Sequence, residues 1–186
     1  MENEVGECNV LGSGPSRKSY IPNNLITIGC NIPFCRVDYN VVFDENVLLK
    51  ILENPKCINE DAKYIISNIT HEVIKRDEKL KKFFEPKIDS LYKMMNGERK
   101  SSAHYACLAM ISKGFNKLNI YGCDNYFGDR NCLDNWTHNI ENPHYIPENL
   151  NNRLSKDTLF NKCESWNRSW HIMINQHPKV EFNFIP

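Results

Sequence analysis

The sequence predicts an α/β domain with a largely parallel sheet and helices on both faces. Short runs rich in β-branched and aromatic residues recur along the chain: CNVL at 8–11, LITIGC at 25–30, YNVVFD at 39–44, YIIS at 64–67, LNIYGC at 118–123 and VEFNFI at 180–185. Helical patterns separate several of them, and such alternation marks strand–helix–strand units. The 186 residues, 41% apolar and 25% charged, are enough for one domain spanning 1–186 with its own core.

Helices are expected at 46–52, 70–85, 101–113 and 155–177. The third places Ala103, Ala106, Cys107, Met110 and Ile111 on one stripe before Gly114 stops it. The last lines up Phe160, Cys163, Trp166, Trp170, Met173 and Ile174, with Ser155 as its cap and Asp157 in its first turn. That spacing makes the tryptophans core residues. In HEVIKRDEKLKKFFEPK the apolar stripe is thin, Val73, Ile74, Leu80 and Phe84, so Lys75, Arg76, Lys79, Lys81, Lys82 and Lys87 read first as a solvated face. The stretch 125–152 is rich in Asn, Asp, Pro and aromatics without a steady period, as a long loop or lid would be.

Twenty-three basic and 23 acidic residues cancel, so no global field draws the chain to a polyanion. No apolar run reaches the roughly 20 residues that a spanning helix needs. MENEVGEC is acidic and short, unlike the opening of a signal peptide, and a cytoplasmic protein is expected. The eight cysteines lack C-x-x-C spacing and several fall in apolar patterns, which reads as buried free thiols rather than a zinc site.

The first turn, Gly12-Ser13-Gly14-Pro15, can bend sharply and let backbone approach a phosphate; it is also an ordinary exit from a sheet. A dinucleotide fingerprint fails, since Arg17 stands where a third glycine is needed and the second strand ends in Cys30-Asn31. A P-loop fails too, because Lys18-Ser19 comes too early. What remains is a row of small polar groups at the carboxyl ends of strands: Ser13, Gly14, Asn31, Asp44 and Asp124. Ligands of open α/β sheets bind there, and the pattern suggests a nucleotide. Asn31 can donate to and accept from a base or ribose, while Ser101 and Ser102 either cap a helix or present its N-terminus to an anion.

Three motifs in order, VLGSGPS at 10–16, TIGCN at 27–31 and SSAHYACLAMISKGFNKLNIYGCDNY at 101–126, resemble those of the bacterial lipooligosaccharide sialyltransferases. More distantly they are similar to the flagellin-glycosylation and archaeal hydroxymethylpterin pyrophosphokinase-like group. The resemblance covers roughly Cys8 to Tyr126. It implies a Rossmann-like fold of the glycosyltransferase-A-variant type that moves a sugar from a cytidine-monophosphate donor without a metal or other cofactor. Carried over, Gly12, Ser13 and Gly14 would lie against the nucleotide, Asn31 on its cytidine portion and Ser102 on the donor. Tyr126 would hydrogen-bond the departing phosphate, stabilising charge that grows in the transition state. The family's helix-opening glycine is Ala103 here, which is expected to narrow the donor site.

Sugar transfer with inversion needs a base for the acceptor hydroxyl, and the family takes a histidine from its lid. His144, beside Tyr145, and His138 lie in that region; Tyr145 is a second candidate phosphate donor. His104 is a third candidate base, or only packs within its first turn. Asp124 could orient a ligand or hold its own loop. The acceptor is expected to be a glycan, with nucleic acid the lesser choice. The rivals are a transferase acting on hydroxylated bases of nucleic acid, a metal-dependent pterin-type pyrophosphokinase using Asp44 and Asp124, and an inactive nucleotide-binding protein. Oligomeric state is open.

Overall fold

A computed structural model describes residues 6–54, 59–94, 100–127 and 156–186. Among these residues seven strands form one sheet in which every neighbouring pair is parallel: β1 (Gly6–Leu11), β2 (Ile26–Cys30), β3 (Tyr39–Val42), β4 (Lys63–Ser67), β5 (Ile88–Tyr92), β6 (Phe115–Tyr121) and β7 (Glu181–Phe184). Their order across the sheet is β5-β4-β3-β2-β1-β6-β7. The chain therefore winds outward from β1 in both directions, a doubly wound, Rossmann-like α/β fold.

The period of two sorts each strand's side chains onto two cores. Cys8 and Val10 of β1, Ile28 and Cys30 of β2, Val41, Ile65, Leu118 and Ile120 face one side. There α4 (Ser102–Ser112) and α5 (Lys156–Gln176) cover them with Ala106, Cys107, Met110, Trp170 and Met173. On the other side Val42, Tyr64 and Ile66 meet α1 (Glu45–Glu53), α2 (Asn68–Arg76) and α3 (Glu78–Phe84) through Val47, Leu48, Ile51, Ile74, Leu80 and Phe84. Burying each such aliphatic side chain contributes roughly 1.5–3 kcal/mol before entropy is subtracted. Where that second face runs under β1, β6 and β7 it turns polar. Asn119 Nδ2 donates to Glu7 Oε1 at 2.9 Å, and Asn183 Nδ2 donates to Asn119 Oδ1 at 3.3 Å and Glu181 Oε1 at 2.9 Å.

Two expectations are corrected. The helix predicted over 70–85 is two helices, because Asp77 leaves the helical region at φ −114°, ψ 116°. Its carboxylate accepts from the N–H groups of Lys79 and Leu80, opening α3. Strand β5 was not expected at all. IDSLY carries no clean apolar alternation, and at the sheet's edge its residues are half-buried or exposed. Among the described residues, Cys8, Cys30, Cys107, Cys123 and Cys163 are buried and Cys35 is half-buried, as expected of core cysteines. Burial pushes the Cys8 and Cys30 thiols up to about 12, which leaves them protonated and unreactive. Among the described residues no helix is long and apolar enough to cross a membrane.

Candidate functional site

At the carboxyl end of the sheet, two turns lock together. Leaving β1, the chain passes Gly12, whose N–H donates to the Tyr121 carbonyl at 2.7 Å; two residues on, the Gly14 N–H donates to the Gly122 carbonyl at 2.9 Å. Ser16 Oγ accepts from the Gly122 N–H at 2.9 Å, and the Ser16 N–H donates to both oxygens of Asp124 at 3.1 and 3.3 Å. A Cβ on Gly12 would overlap the Gly122 carbonyl oxygen, and one on Gly14 would overlap the Asp124 carboxylate. The close approach these glycines permit is thus to the β6 turn. Gly122 itself sits at φ +70°, a conformation that glycine tolerates without strain.

That geometry assigns Asp124 the role of staple between the two turns. Asp124→Ala is expected to lower stability by about 1–2 kcal/mol, since it removes the acceptor from a part-buried backbone N–H. Asp124→Asn keeps an acceptor oxygen and should retain most of it; urea unfolding midpoints compare the two.

One strand over, β2 ends in Cys30 and the chain enters Asn31 at φ +61°, the one non-glycine residue with positive φ among those described. Asparagine visits this region more readily than other side-chain-bearing residues. The turn is fixed on both sides. The Asn31 N–H donates to the Val41 carbonyl at 2.8 Å, and Asn40 Nδ2 donates to the Asn31 carbonyl at 2.9 Å. Asn31 Oδ1 accepts from Ser102 Oγ, on the first turn of α4, at 3.3 Å. Asn31 and Ser102, 71 residues apart, are thereby brought together. Ser13 leaves the neighbouring strand at the matching level, two residues past the Leu11–Gly29 register pair as Asn31 is.

The first turn of α4 has its own lock. Ser101, the N-cap, donates its N–H to His104 Nδ1 at 3.1 Å and places Oγ 2.8 Å from the same nitrogen. This is a capping box with histidine in place of the usual Glu or Gln. Because Nδ1 accepts, the ring's proton belongs on Nε2. The imidazole is wholly buried and stacks on Trp170 with centroids 3.7 Å apart. Burial pulls its pKa down to about 3, against a smaller opposing pull from the Trp166 backbone. A neutral, enclosed imidazole does not serve as an accessible base, so His104 packs and caps. Ala103, where the motif has glycine, is buried in the core cluster under α4.

Tyr126 packs against the same core at its β7 side. Its ring stacks on Phe184 of β7 at 3.7 Å and 7°, near His171 of α5, and Asn167 Nδ2 donates to its carbonyl at 2.9 Å. From β2 to β7 is three strand spacings, roughly 14 Å. The ring contacts of Tyr126 are thus made three strand positions from the strand that leads into Asn31. Asp44 follows β3 and Asp124 follows β6, strands three positions apart in the sheet, and Asp124 is bonded to the Ser16 N–H of the β1 turn. Asp44 caps α1, accepting from the Asn46 N–H at 2.9 Å, so each of the two carboxylates has a local backbone partner.

His138, His144 and Tyr145 lie outside the described residues, as does the expected lid from 128 onward. Its first residues, 125–127, belong to a 3₁₀ turn, Asp124–Phe127, held by Asn167. Away from the strand ends, an open depression of about 780 Å³ on α3 is lined by Lys79, Lys81, Lys82, Glu78, Glu85 and Pro86. Lys75 pairs with Glu72 at 3.0 Å and Lys87 lies over the Phe83 ring, so the basic cluster is a mixed-charge surface. Among features not expected from sequence, the left-handed Asn31 and the Trp170 stack matter most. The Ser-x-x-His spacing at 101–104 was the available signal for the second. Comparison with family models, curated proteins and solved structures finds no match to the chain.

Proposed function

We propose that the carboxyl end of the sheet binds a nucleotide-activated sugar, with a cytidine-monophosphate-sugar favoured, and that the protein transfers the sugar to a hydroxyl acceptor. The observation that carries this reading is the contact of Asn31 with Ser102 at the opening of an 11-residue helix, beside the β1 turn. The partial positive charge at the N-terminus of α4 suits a phosphate. Asn31 offers a donor and an acceptor to the base or ribose. In the transfer, the acceptor oxygen bonds to the anomeric carbon as the bond to the phosphate oxygen breaks, and that oxygen leaves with the electron pair. The acceptor's proton goes to a histidine base, His144 or His138. Hydrogen bonds aimed at the departing phosphate take up the growing charge, a role that needs no metal. A part for Tyr126 there requires the nucleotide to extend along the rim from β2 toward β7. A glycan is the favoured acceptor; binding to nucleic acid would instead weaken steeply with salt.

Calorimetric titration with cytidine, uridine, guanosine and adenosine monophosphates, their sugars and adenosine triphosphate, with and without magnesium, tests the reading. Cytidine-selective, magnesium-independent binding is expected. Asn31→Gly keeps the positive φ while removing the amide, and it should weaken that binding by roughly tenfold, the worth of one or two hydrogen bonds. Selective binding of adenosine triphosphate with magnesium would replace the reading with the pyrophosphokinase. Tight cytidine binding with no transfer, unaltered in a His138→Ala, His144→Ala double variant, would leave a nucleotide-sequestering protein.

A further inference from the structure

We propose that His104 is the positioning residue of the strand-end site: through Ser101 it fixes the first turn of α4, so that Ser102 stays against Asn31 and the opening N–H groups of the helix keep their aim. This rests on the nucleotide reading above and adds to it a residue that no ligand touches.

The chain of contacts runs from the core outward. Trp170 is fully buried on α5 and meets the Phe184 ring edge-on at 5.0 Å. It also stacks on the imidazole of His104, with planes 21° apart. Core packing is dense, so a ring clamped in this way keeps one orientation. That orientation aims Nδ1 at the Ser101 N–H, 3.1 Å away, with the Ser101 hydroxyl at 2.8 Å. The next residue is Ser102, whose hydroxyl reaches Asn31 at 3.3 Å. Three consecutive links therefore join the core to the residue pair on which the site is built.

Histidine suits this position better than the glutamate of an ordinary capping box. A carboxylate there would have to carry its charge out of contact with water, a desolvation cost that a neutral acceptor avoids. A neutral imidazole supplies the same acceptor without charge, and its flat ring stacks on the indole. If His104 were only a core filler, packing on Trp170 would explain it completely. The directed bond from Nδ1 to the helix-opening backbone is what a filler lacks.

Two variants separate these roles. His104→Leu keeps apolar volume on Trp170 and leaves the Ser101 N–H without its acceptor. His104→Gln gives up the stack but keeps an acceptor at the third helical position, where glutamine completes a capping box. Amide hydrogen exchange in the unliganded proteins is read over a peptide spanning residues 100–106. Exchange should rise roughly tenfold in His104→Leu, the worth of one cap, and return to within about threefold of wild type in His104→Gln. The dissociation constant for cytidine monophosphate, measured by calorimetry where all three proteins are folded, should follow the same order. Unchanged exchange in His104→Leu, or equal loss in both variants, would overturn the positioning role. If wild type does not bind the nucleotide, the functional reading falls, and exchange alone decides the role of His104.

Discussion

Gly12→Ala is expected to cost on the order of 3 kcal/mol or more. The new Cβ would overlap the Gly122 carbonyl oxygen and stand 2.9 Å from its carbon. Both are backbone atoms, and the same carbonyl already accepts from Gly14 N–H at 2.9 Å, so neither turn can shift alone. Gly122→Ala should cost as much. Its Cβ would lie 2.8 Å from the Gly12 carbonyl oxygen, and φ of +70° adds about 1–2 kcal/mol for a left-handed alanine. Gly114 is the control, with φ of +95° but nothing within 4 Å of an added Cβ. Gly114→Ala should therefore show the backbone cost alone, about 1–2 kcal/mol. Urea midpoints of the three variants rank them; equal losses at positions 12 and 114 would mean that the β1 and β6 turns are not interlocked.

Acid should destabilise the fold through His104 by on the order of 5 kcal/mol. In the unfolded chain the imidazole takes a proton near its ordinary 6.5, and in the folded protein only near 3. Between those values the unfolded state binds more protons, so stability falls as pH drops through 6.5 toward 3. It is flat with respect to this group above about pH 7 and below about pH 3. His104→Gln lacks the titration while every other ionisable group is retained. Its melting temperature, below that of wild type at pH 7.5, should converge on it as pH falls to 5. Parallel curves for the two proteins would show that His104 is not held neutral.

Much of the frame was legible in the sequence because burial on two faces leaves a local mark. CNVL, LITIGC, YNVVFD and YIIS are apolar enough to be central strands of a parallel sheet, and there they lie. The helix after Ser101 was visible from its stripe, and Trp170 was correctly read as core. β5 escaped because an edge strand buries less and carries less pattern. The break at Asp77 was written in Arg-Asp-Glu, an acidic cap and first turn, but a continuous charged helix satisfied the same letters.

At the rim, residue types alone identified Asn31, Ser102 and Asp124 as polar groups at strand or helix ends. Their partners were undetermined. A glycine lets backbone come close to something, yet only the packed β6 turn reveals that Gly12 approaches another carbonyl. A histidine three residues after a serine is an acceptor, an acid or a filler until Trp170, 66 positions later, removes water from it. Hydrophobic period and turn chemistry act over a few residues, so the chain by itself determined most of its strands and helices and the largely parallel sheet they imply. Contacts between residues distant in sequence exist only once the layers close. The left-handed Asn31, its bond to Ser102 and the neutral His104 were accordingly decided by tertiary packing.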